Sequence, residues 1–165
     1  MIFLTVGTQF PFDRLVRAVD EWLDHNSFGE EVFAQKGESS YVPRNFEAVV
    51  SLDKAAFDQR FQQASGIVSH AGMGTITMAL DHGKSLLVMP RLKKYREVVS
   101  DHQGPLAEKF EALGHILLAR DESQLAGKFP QLRSFVPHPR QADTDAVARR
   151  IGRFLELAGG NPGSG

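Results

Sequence analysis

The stretch "GIVSHAGMGTITMALDHGKSLLVMP" (66–90) places His70, Gly72, Gly74 and Thr75 between a short apolar run and a helix-like segment. Glycine lets the backbone approach a ligand, threonine offers a hydroxyl in the first helical turn, and the free amides of a helix start attract an anion. A similar bend, "GTQFP" (7–11), follows the first apolar run and carries Gly7 and Thr8. Phosphate suits both bends. No lysine follows the glycines of "GMGTIT", as a phosphate-binding P-loop requires, and Thr77 stands at the third glycine position of a dinucleotide fingerprint. Spacing alone therefore fits a phosphate site and a ligand-free helix–strand packing equally well. A side chain at Gly74 is expected both to fill the space a phosphate needs and to strain the backbone.

Strands alternating with helices must position these bends. "IFLTV" (2–6) is a continuous apolar run, the pattern of a strand covered on both faces. Over 11–25, Phe12, Leu15, Val16, Val19 and Leu23 recur at helical spacing, with Asp13, Arg14, Asp20 and Asp24 on the other side and Pro11 in the first turn. Strands are expected at 31–35 and 46–52, and a helix over 54–64 capped by Asp53. Then follow a strand at 66–70, a helix from Met73 to His82 stopped by Gly83, and a strand over 85–90. A helix over about 101–113 ends at Gly114, a strand occupies 115–119, and a short capped helix covers "DESQLAGKF". A last helix is expected over 142–157, with Val147, Ile151, Phe154 and Leu155 on its apolar stripe. This alternation predicts an α/β fold, a single Rossmann-like domain over residues 1–158 with a parallel sheet flanked by helices, and a flexible tail at 159–165. Such sheets bind ligands beyond the carboxyl ends of their strands, where both glycine bends lie.

Composition narrows the class. The 165 residues carry 19 Lys plus Arg against 20 Asp plus Glu, a net charge of −1 that gives no reason to expect a nucleic-acid partner. Cysteine is absent, which excludes disulfides and thiolate metal sites and makes the cytoplasm the default expectation. The start "MIFLTVGTQF" has neither the basic flank of a signal peptide nor the length of a membrane span.

"SHAGMGTI", "HGKSLLVMPR" and the "E..SDHQ" pattern of residues 97–103 together resemble the donor-binding half of glycosyltransferase family 28, which has the GT-B fold and includes MurG. Within that family the chain resembles the small bacterial exopolysaccharide subunits called PssE or EpsE, and the catalytic subunit of the dolichol-linked GlcNAc transferase. "IFLTVGTQFPFDRLV" matches the start of those same proteins. The resemblance runs from residue 2 to about 120 and implies the C-terminal half of a GT-B fold.

That resemblance implies a UDP-sugar donor and an inverting, metal-independent transfer to a lipid-linked acceptor in polysaccharide biosynthesis. Gly72, Gly74 and Thr75 fall where the family holds the diphosphate, Gly7 and Thr8 where its first loop borders that diphosphate, and Asp101 with Gln103 where it contacts the sugar. His70 matches the family's "SHAG", as a functional group beside the phosphates or as a structural hydrogen-bonder. Many members carry a glutamate for the ribose at the position of Met78, and Asp81 lies one turn further on. Met78 keeps a second class open, a non-enzymatic nucleotide-binding or regulatory subunit that retained the fold.

A GT-B enzyme needs two Rossmann-like domains, and 165 residues accommodate one. The family resemblance therefore implies a membrane-attached acceptor-binding subunit, PssD/EpsD-like, that supplies the catalytic base and holds this chain at the inner face of the membrane. No cofactor is expected beyond the donor. No metal is expected either: His25, His82, His115 and His138 lack ligand spacing, and Asp143 in "DTD" (143–145) suits a helix cap. Arg91, Lys93, Lys94 and Arg96 form the one local charge excess, read as a solvated loop or as a steering patch for an anionic donor or membrane.

Overall fold

The computed structural model describes residues 1–139; the expected helix over 142–157, Asp143, Asp145 and the tail lie outside them. Six strands form one parallel sheet: β1 (Ile2–Thr5), β2 (Val32–Gln35), β3 (Glu47–Val49), β4 (Gly66–His70), β5 (Ser85–Met89) and β6 (Leu117–Leu118). Four α-helices connect strands, α1 (Asp13–His25), α2 (Lys54–Gln63), α3 (Met73–Asp81) and α4 (Gln103–Ala112), and α5 (Glu122–Lys128) follows β6. The strand order is β3-β2-β1-β4-β5-β6. Its direction of progression reverses between β1 and β4, where Thr5 pairs with Ser69, so the chain leaves both strands side by side. In doubly wound sheets that reversal opens a crevice.

Two apolar layers cover the sheet. Leu15, Val16 and Val19 of α1, with Leu125 of α5, pack on Leu4, Val68 and Leu87. Phe61, Ile76, Ala79 and Ala107, from the segments of α2 to α4, pack on Phe3, Ile67 and Val88 on the other face. Ile2, Phe3 and Leu4 are fully buried, and side chains of this size contribute about 1.5–3 kcal/mol each on burial. The strand that delivers Gly7 is thus firmly fixed.

Helix boundaries follow local chemistry. Asp53 and Asp121 cap α2 and α5, accepting from the amides of Ala56 and Gln124 at 2.8 Å each. Gly83 and Gly114 take positive φ just past α3 and α4. Pro11 lies outside α1, which begins at Asp13 because the Phe12 amide donates to Ser39 Oγ at 2.8 Å and Asp13 accepts from the Tyr41 amide. Asp20, expected on the polar side, is buried. It accepts from the Arg44 and Asn45 amides and the Tyr41 hydroxyl, fastening the 41–45 loop onto α1. Burial alone raises its pKa, but the donors from Asn45, Tyr41 and Arg44 outweigh it and hold the carboxyl below its ordinary range.

Candidate functional site

At the reversal point the side chains of β1 and β4 stitch the two bends together. Ser69 Oγ donates to the Thr5 carbonyl at 2.7 Å, and Thr5 Oγ1 accepts from the Gly7 amide at 3.3 Å. Gly7 has φ +75°, a left-handed conformation that costs a side-chain-bearing residue roughly 1–2 kcal/mol. Ser69 has spent its proton on Thr5, so the 3.3 Å contact between Ser69 Oγ and His70 Nδ1 assigns the ring proton to Nδ1 and a lone pair to Nε2.

The imidazole of His70 stands between the two glycines. A Cβ on Gly7 would lie 2.9 Å from His70 Cε1, and one on Gly72 would lie 2.9 Å from Cδ2 and overlap Nε2. Either glycine replaced by a larger residue must displace the ring. Burial first, then the positive charge of Arg91, lowers the His70 pKa from 6.5 to about 4, so it is neutral at physiological pH. With Nδ1–H turned to Ser69, Nε2 can only accept a hydrogen bond, and the ring brings no charge to a phosphate.

As pH falls, the unfolded chain therefore takes up the His70 proton first. The stability this residue contributes is complete above pH 6.5 and is lost as pH falls toward 4. Between pH 7 and pH 5 the loss from His70 amounts to about 2 kcal/mol. Urea unfolding is expected to show a drop that is smaller by that amount in His70→Asn; equal slopes in the two proteins would refute the buried, neutral assignment.

α3 opens the other side of the crevice. Gly72 is its N-cap in extended conformation, without a side-chain cap, and the first intrahelical bond runs from Ile76 to the Gly72 carbonyl at 3.1 Å. The amides of Met73, Gly74 and Thr75 consequently have no partner among the described residues, and they sit at the positive end of the helix dipole. Gly74 is helical, without positive φ, and a Cβ there would meet nothing within 4 Å. The strain expected at Gly74 is absent: Gly72 is the glycine that the packing needs, whereas Gly74 borders open space.

The segment after β5 closes the neighbouring side. Asp101 Oδ1 accepts from the Lys93 amide at 2.6 Å, and the buried Gln103 accepts from the Arg91 amide at 3.1 Å. Both residues thus shape the segment that carries them. Thr8 is exposed on the first bend. Met78 is half-buried against the layer that contains Phe61, and Asp81 is exposed in the last turn of α3, about 9 Å along the axis from Thr75.

Arg91 overturns the reading of a solvated basic loop. It is 3% exposed, and its Nη2 donates to the carbonyls of Val6 and Phe10 at 2.6 and 2.5 Å. Lys93, Lys94 and Arg96 remain exposed. Arg14, placed by periodicity on a polar face, is nearly buried and binds Glu97 through Nε at 3.0 Å and Nη2 at 2.9 Å. Periodicity carries no sign of that pair. Arg91 had one: it follows Pro90 directly beyond a buried strand, at the end of the sheet where ligands bind.

Comparison with known proteins identifies the family and the fold. Residues 1–149 match the family model described as the glycosyltransferase family 28 C-terminal domain. The chain is 32% identical over 127 residues to the UDP-N-acetylglucosamine transferase subunit ALG13 of Mus musculus, and 32% identical over 124 residues to that of Homo sapiens. Those matches cover 69% and 70% of this chain but only 10% of either relative. In fold, it resembles the solution structure of ALG13 with a TM-score of 0.57 at 19% identity, over 91% of this chain and 93% of that one. MurG of Acinetobacter baumannii gives a TM-score of 0.56 at 17% identity, over 92% of this chain and 49% of MurG. The parallel sheet is thus the Rossmann-like domain that forms the C-terminal half of GT-B glycosyltransferases, and the chain belongs to the glycosyltransferase family 28 C-terminal domain family.

Proposed function

We propose that this chain is the donor-binding catalytic subunit of a two-component glycosyltransferase, which moves a sugar from a UDP-sugar to a lipid-linked acceptor in polysaccharide biosynthesis. The observation that carries the reading is the meeting of two glycine bends at the reversal of strand order, with three amides at the start of α3 unpaired among the described residues. In the reaction an acceptor hydroxyl oxygen attacks the anomeric carbon, the bond from that carbon to the β-phosphate oxygen breaks, and UDP leaves with the electron pair. Negative charge grows on the β-phosphate, where fixed N–H dipoles stabilise it with little reorganisation. Gly7, Thr8, Gly72, Gly74 and Thr75 would border the diphosphate, and Asp101 and Gln103 the sugar. His70 would hold the two bends apart as a neutral wedge.

Inversion requires a base to take the acceptor's proton, which we assign to a membrane-attached partner of the PssD/EpsD kind. Among the described residues no helix is long and apolar enough to cross a membrane, so the same partner would place the subunit at the inner face. The likeness to PssE and EpsE in "SHAGMGTI" and "SDHQ" supports an exopolysaccharide product.

Calorimetric titration with UDP and with ADP tests the reading. UDP is expected to bind at least about tenfold more tightly, a difference of about 1.4 kcal/mol. Met78, where a ribose-binding glutamate is expected, is the one residue that favours a nucleotide-binding or regulatory module without catalysis, and equal affinity for the two nucleotides would support that module.

We further propose a metal-independent transfer. The amides at the start of α3 would meet the developing charge on the leaving diphosphate. EDTA is expected to change the rate of the complete two-component enzyme by less than about twofold. Loss of transfer that Mg²⁺ or Mn²⁺ restores would contradict this.

A further inference from the structure

Arg91 is a buried cation with no bonded carboxylate among the described residues. Both carbonyls that its Nη2 holds, those of Val6 and Phe10, flank the exposed first bend, so one guanidinium pins that bend at its two ends. Its plane lies over the Phe12 ring, 5.3 Å from the centroid, and its amide is fixed by Gln103. Glu97 is close enough for its charge to be felt, yet its oxygens are taken by Arg14 and by the Leu92 amide. Arg91 Nε is buried and has no acceptor among the described residues.

A buried charge is costly unless an opposite charge compensates it, and an orphaned buried donor adds to that cost. Two uncharged carbonyls satisfy part of the fork and leave the net charge standing. The field of this cation reaches His70, which lies between the glycines of the crevice. An anion bound there would meet it through a medium of low dielectric.

We propose that Arg91 is a positioning residue of the donor site: it clamps the Gly7–Gln9 bend in its ligand-ready shape, and its uncompensated charge is balanced by a bound diphosphate. The inference rests on the reading of the crevice as a diphosphate site, and it assigns a function to a residue that makes no contact with the donor. Lysine at this position would keep the charge but not the two-carbonyl fork; methionine would lose both.

The test uses inorganic pyrophosphate and UDP as probes on the full chain. Arg91→Met is expected to weaken both by at least about tenfold, and Arg91→Lys by an intermediate factor, with pyrophosphate and UDP affected alike because the contribution is to charge and loop shape. A folded Arg91→Met protein that binds both probes like the parent would overturn the inference, while failure of the parent to bind either would overturn the diphosphate reading itself. Should Arg91→Met not fold, the parent still decides. Its Arg91 Nε–H resonance, assigned as the signal that Arg91→Lys removes, is expected to shift at saturating UDP and to stay in place with uridine. A resonance unmoved by UDP would overturn the proposal.

Discussion

Gly74→Val is expected to leave the domain folded, within about 0.5 kcal/mol of the parent, and to weaken UDP binding by more than about a hundredfold. The two effects separate because Gly74 is the second residue of α3, in helical conformation, and a Cβ there meets no atom within 4 Å. Glycine inside a helix is less favourable than valine by a few tenths of a kcal/mol, so the fold loses nothing. A branched side chain would instead occupy the space beside the amides of Met73, Gly74 and Thr75, where the proposed reading puts the diphosphate. Gly72→Ala should behave in the opposite way: its methyl group meets the His70 ring and is expected to cost about 1–3 kcal/mol in urea unfolding. Removing the ring should recover part of that loss, so the effects of Gly72→Ala and His70→Ala should not add. A folded Gly74→Val protein with parental affinity for UDP would place the phosphate site elsewhere.

Transfer is expected to depend on a second protein. The described residues form one Rossmann-like layer, while the matched MurG chain is about twice as long, with this chain covering 49% of it. On the two-component reading the acceptor and the base come from elsewhere, and positioning and general-base catalysis each supply several orders of magnitude. The purified chain is therefore expected to bind UDP and to transfer sugar at least about a thousandfold more slowly than the co-expressed pair. Radiolabelled donor with a lipid-linked acceptor measures both rates. Rapid turnover by this chain alone would refute the two-component reading.

Local signals made much of the site legible. The apolar runs that end at Gly7 and His70, the Asp53 and Asp121 caps, and the Gly83 and Gly114 stops all follow from nearest neighbours in sequence. The pairing of Thr5 with Ser69 does not, because it brings together residues 64 apart, and without it the two bends need not share a crevice. Charged residues were hardest to place. Asp20 and Arg14 sit on positions that periodicity reads as solvated, and Arg91 in a basic cluster with a solvated-loop reading; each is buried or nearly so because it satisfies a particular loop: 41–45, 92–97 and 6–10. Loop conformation has no short-range pattern. The same cause shifts α4 from an expected start near 101 to Gln103, since Asp101 is engaged with the Lys93 amide.

The amide spectrum of the ¹⁵N-labelled chain, titrated with UDP, tests most directly whether the two bends hold the diphosphate. The largest shifts are expected at Gly7, Thr8, Met73, Gly74 and Thr75, with the α3 amides moving downfield as they gain acceptors, and those same amides should respond to pyrophosphate alone. Shifts confined to another face, or saturation with UDP while these five amides stay in place, would contradict the account.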